Sequence, residues 1–131
     1  MIAQYIQLGN RGWNVLIYYG VDAEDFIEIE DSLLQIDCPK DDIKKAFKVL
    51  RKKNTGFTFS NTDYKMSIVC IGRSTDVSQM VNTIIHEAKH VQSHICSYYK
   101  IPEDGETAAY LIGYLVQRMY KMFSKIVRQY V

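Results

Sequence analysis

The chain has no C-x-x-C pair. Its three cysteines, Cys38, Cys70 and Cys96, are odd in number and widely spaced. That excludes a thiolate zinc knuckle and leaves free buried thiols in a reducing compartment as the expectation. No apolar run reaches the roughly 18 residues of a spanning helix, so no membrane partner is expected. The start, Met1-Ile2-Ala3-Gln4-Tyr5, lacks the basic region and apolar stretch of a signal peptide. The expectation is a cytoplasmic chain, or one whose leader has been removed. Charge of one sign is also lacking: 16 basic residues stand against 15 acidic, a net +1. This balance gives no general argument for nucleic acid or an anionic membrane as partner. There is no internal repeat and no low-complexity segment. What is present is the balance of an ordinary soluble globule, 131 residues with 47% hydrophobic and 24% charged, enough for one domain with one core.

The pattern along the chain predicts an α+β domain over residues 1–131. Ile2–Leu8 and Trp13–Tyr19 are β-branched and aromatic, and Gly9-Asn10-Arg11-Gly12 separates them, so residues 1–20 read as a β-hairpin. Residues 22–53 read as two helices. In the first, Phe26, Ile29, Leu33 and Ile36 fall at helical spacing, and six acids between Asp22 and Asp31 suit its N-terminal half and a solvated face. Pro39 restarts the chain near the first position of the second. There Ile43, Ala46, Phe47 and Leu50 form the apolar stripe, and Lys48, Arg51, Lys52 and Lys53 oppose the helix dipole at its end. Residues 56–72 read as a second hairpin whose last strand, with apolar residues on nearly every position from Met66 to Ile71, is buried on much of both faces. A helix is expected over residues 76–99, capped by Thr75 or Asp76. After Pro102, one long helix is expected over residues 104–130, with Ala108, Leu111, Leu115, Met119, Met122 and Ile126 as its core stripe.

The helix at 76–99 carries the segment in which the residues themselves specify a reaction: His86-Glu87-Ala88-Lys89-His90. Two histidines four apart share a helix face, so both imidazoles reach one metal ion. Glu87, beside the first histidine, can take the proton of a water on that metal. At about 100° per residue, Val77, Val81, Ile84, Ala88, Val91 and Ile95 project to one side of this helix. His86 and His90 project roughly opposite, with Gln79, Asn82, Thr83, Ser93 and Ser97. A core pair of histidines would lie on the apolar stripe instead.

A catalytic zinc takes three protein ligands and leaves one position open. His94 stands eight residues beyond His86, a rise of about 12 Å, and zinc–nitrogen bonds are only about 2.0–2.1 Å. One straight helix cannot close that triangle. Glu106, in Asp104-Gly105-Glu106-Thr107-Ala108-Ala109-Tyr110, is the better candidate, because the Pro102–Gly105 loop lets the last helix turn back beside the motif helix. Tyr110 follows one turn later, where its hydroxyl can point at the same cleft. Asn82 and Thr83 can line the site or orient a ligand; plain solvent-facing polarity explains them equally well.

His86-Glu87-x-x-His90 followed by Glu106 on a second helix resembles the gluzincin branch of the zincin metallopeptidases. The resemblance spans about Lys65 to Gln117 and is close to small zincin-like proteins of bacterial and phage genomes. It implies a zincin-like fold: a small antiparallel or mixed sheet packed on the motif helix, with the glutamate ligand supplied by the C-terminal helix. The strand ending at Ile71 would correspond to the edge strand that pairs with an extended substrate. It also implies Zn²⁺ held by His86, His90 and Glu106, Glu87 as general base, and a peptide or protein substrate. Tyr110 would share the oxyanion load. The aspartate of the large thermolysin-like enzymes on the glutamate helix has no match here. The alternative is a weak or inactive zincin-fold module that binds a partner peptide; a third is that both histidines are incidental surface residues. Oligomeric state is not encoded in these patterns.

Overall fold

The computed structural model describes all 131 residues. Four strands, β1 (Ile2–Gln7), β2 (Asn14–Val21), β3 (Gly56–Asn61) and β4 (Met66–Gly72), form one mixed sheet in the order β1-β2-β4-β3. The two expected hairpins supply the antiparallel pairs β1–β2 and β3–β4, and β2 runs parallel to β4. A parallel pair needs a crossover connection. Here it consists of α1 (Phe26–Gln35), α2 (Lys40–Leu50) and β3. Pro39 immediately precedes α2, and Asn54, in the left-handed region at φ 63, turns the chain after that helix into β3.

Helices cover both faces of the sheet. α1 and α2 lie on one face, where Phe26, Ile29, Leu33, Ile43 and Leu50 meet Tyr18, Ile68 and Cys70. On the other face lie α3 (Val77–Tyr99), α4 (Glu106–Tyr120) and α5 (Phe123–Tyr130), whose Met80, Ile84, Val91, Ile95, Leu115 and Ile126 meet Val15, Ile17, Val69 and Ile71. β4 thus alternates its side chains between two apolar layers. All three cysteines are free and buried. No helix is long and apolar enough to cross a membrane.

Two expectations are corrected. The strand ending at Ile71 is not an edge strand. β4 is hydrogen-bonded on both sides and the free edge beside it belongs to β3, which is why β4 is apolar on both faces. The last helix is not continuous either. It breaks at Lys121 and Met122, where the amides turn back onto the carbonyls of Arg118 and Met119. The break lets α5 swing over β2, so that the Tyr130 ring lies directly on Gly20. Gly20 has φ +72 and no room for a Cβ beneath that ring, so two constraints require glycine there.

Candidate functional site

α3 begins at Asp76, whose carboxylate accepts the Gln79 amide at 2.9 Å, and it closes on Lys100 in the left-handed region. Met80, Ile84, Ala88, Val91 and Ile95 form its buried stripe, whereas Val77 and Val81 are exposed. His86 and His90 project from the opposite, solvent-facing side. Their Nε2 atoms stand 3.2 Å apart with the rings edge to face. Two nitrogens sharing one tetrahedral zinc at about 2.0–2.1 Å stand about 3.4 Å apart. The spacing is that of a ring-to-ring hydrogen bond and is also compatible with two ligands of one zinc.

Glu87 points elsewhere. It is only 3% exposed, tucked between α3 and the edge strand. Its Oε2 accepts a 2.6 Å hydrogen bond from the Thr58 hydroxyl. Gly56 lies against its stem; a Cβ there would come within 2.7 Å of Glu87 Cγ. Oε1 has no protein partner and is not sealed from solvent. One oxygen is thus held by Thr58, and the other lies against Gly56 without a hydrogen-bond partner. The Cys70 thiol is pushed well up, first by its complete burial and then by the charge of Glu87.

His94 is tied to the same strand one step further along. Its Nδ1 is 2.7 Å from Ser60 Oγ, Ser60 Oγ is 2.7 Å from Ser67 Oγ, and Trp13 Nε1 donates to Ser67 Oγ at 3.0 Å. Its ring centroid lies 6.3 Å from that of His90. Its pKa is lowered, first by burial and then by His90, against an opposing pull from Glu103. Glu103 accepts hydrogen bonds from Ser93 (2.8 Å) and Lys89 (3.2 Å), and these hold its carboxyl below the usual range. Lys89 also donates to Gln92 Oε1, and Gln92 Nε2 donates to the Ala108 carbonyl at 2.9 Å, which joins α3 to α4.

The remaining expected site residues are placed as follows. Glu106 is the first residue of α4, exposed and outside any ion pair. The structure gathers no third histidine, cysteine or carboxylate with His86 and His90 into a metal-holding cluster, so Glu106 is not brought to the pair. Tyr110 is 74% exposed. It lines a cavity with Gln7, Leu8 and Arg11 of the first hairpin, and neither motif histidine borders that cavity. Thr83 is buried and donates to the Gln79 carbonyl of its own helix at 3.0 Å, while Asn82 is exposed. Sequence reasoning missed Gly56, Thr58 and Ser60. Their signal was the run of small and polar residues at every second position of β3, opposite Phe57 and Phe59.

No family model, curated protein or solved structure matches the chain.

Proposed function

We propose that the chain is a zinc-dependent metallohydrolase, a small peptidase of the gluzincin type. The observation that carries this reading is the 3.2 Å approach of His86 and His90 Nε2, next to a glutamate clamped by the edge strand. In this reading His86 and His90 hold the metal, and Glu106, which the structure leaves apart from them and without an ion-pair partner, would have to be carried to the pair when the metal binds to complete the donor set. Bound zinc would supply Lewis acidity and bring the pKa of its water to about 7. Glu87 does the proton work. Thr58 fixes one of its oxygens; the other, which now faces β3, would have to turn back toward the histidines to take the proton of the attacking water and return it to the leaving amine. The free edge of β3 offers unpaired peptide groups to an extended substrate. For oxyanion contact Tyr110 would have to leave the cavity beside the first hairpin, which neither histidine borders.

A second reading is favoured by the lack of a gathered third ligand: a zincin-like module that binds a peptide along β3 without cutting it. Glu87→Gln separates the two. Zinc-loaded wild type should cleave members of a broad peptide library, and the variant should be slower by about 10²–10⁴-fold with its zinc retained. If both keep zinc and neither cleaves, the binding module is correct.

A further inference from the structure

The hydrogen-bond chain from Trp13 to His94 has a fixed direction. An indole Nε1–H can only donate, so Ser67 Oγ accepts from Trp13. Ser67 is 0% exposed and its only other side-chain partner is Ser60. Its proton must therefore go to Ser60 Oγ. Ser60 in turn donates to His94 Nδ1. The reverse order would bury the Ser67 O–H with no acceptor, at a cost of about 1–3 kcal/mol. Nδ1 is then an acceptor, and the proton of the neutral ring sits on Nε2. That nitrogen has no protein partner and is not sealed from solvent. The ring lines a cavity of about 240 Å³ with Ser60, Thr62, Ser97 and Tyr98, one helical turn beyond His90 and against the free edge strand.

We infer that the Trp13–Ser67–Ser60–His94 chain makes His94 Nε2–H a preset hydrogen-bond donor, forming a subsite that takes a backbone carbonyl oxygen of a peptide that runs along the free edge of β3 and enters the cavity beside His94. The subsite deepens the peptidase reading and rests on it for the identity of the ligand, though the direction of the chain does not. His94 is a substrate-binding residue here and not a metal ligand, since Nδ1 accepts from Ser60 and the proton on Nε2 leaves no lone pair there for a metal. The donor is built before any ligand arrives: a tryptophan in the core sets the tautomer of a histidine that lines the cavity.

The first test is a long-range proton–nitrogen correlation spectrum of the metal-free protein. It should show His94 protonated at Nε2 in the wild type and as a mixture of tautomers in Ser60→Ala. A wild-type ring protonated at Nδ1 overturns the inference. The second test uses zinc-loaded protein and a pool of short peptides blocked at both ends. His94→Phe should raise KM about tenfold, the worth of about one hydrogen bond, with kcat and zinc content unchanged. His94→Gln, which keeps an N–H donor, should recover part of the loss. An unchanged KM in His94→Phe overturns the subsite. A wild type that cleaves nothing contradicts the peptidase reading instead. The same pool is then titrated into the metal-free protein, where a shift of the His94 Nε2–H resonance sustains the subsite and its absence refutes it.

Discussion

The two faces of β3 differ although the residues alternate along one strand. Phe57 and Phe59 pack into the layer of α1 and α2, where Phe26 and Phe47 stack with centroids 4.3 Å apart. Gly56, Thr58 and Ser60 face α3 and meet Glu87 and His94. The first face buries apolar area and contributes stability. The second places polar groups against each other and keeps one oxygen and one nitrogen open. Interior packing and site construction are therefore separated by a single residue of register, and substitutions on the two faces should differ in kind.

The largest effect belongs to the apolar layer. Leu33→Ala removes a fully buried side chain and should cost about 2–5 kcal/mol in denaturant unfolding, with the activity of the folded fraction unchanged. Gly56→Ala should do the opposite. Its Cβ meets the Glu87 stem, so peptide cleavage should fall about 10²-fold through misplacement of the carboxylate, with zinc binding kept. Full activity in Gly56→Ala would erase the contrast between the faces. Ser67→Ala lies between the two kinds. It strands the buried Trp13 N–H, and melting should report a loss of about 1–3 kcal/mol. The smallest effect is a pH dependence. The unfolded chain binds a proton at His94 near pH 6.5, whereas the native ring binds it only at lower pH because of burial and His90. The unfolded state then carries more protons below pH 6.5, so stability is full above that value and falls as pH drops beneath it. His94→Gln should remove that part of the slope in pH-dependent unfolding.

Much of the fold was legible from local signals. The Gly9–Gly12 turn, Pro39 and the Asp76 cap act within a few residues of themselves, and the elements they bound form near the expected positions. The continuous last helix was not legible, because its break exists to lay Tyr130 on Gly20, more than a hundred residues away. The edge strand was misassigned although the signal was present: a strand apolar on both faces belongs inside a sheet, and β4 lies there. In the site, spacing alone brought His86 and His90 together. It could not show that Glu87 turns from them toward β3, since the groups that hold it, Gly56 and Thr58, sit on another element. The placement of Glu106 depends on how the Pro102–Gly105 loop directs α4, and no residue pattern encodes that angle.

The proposed zinc site joins His86 and His90 to Glu106, which the structure leaves apart from them. The most direct measurement is the metal content of the purified protein beside His86→Ala and Glu106→Ala, with folding checked by circular dichroism. The account predicts about one zinc per chain, lost in both variants. Zinc absent from the wild type, or unchanged by Glu106→Ala, would contradict it.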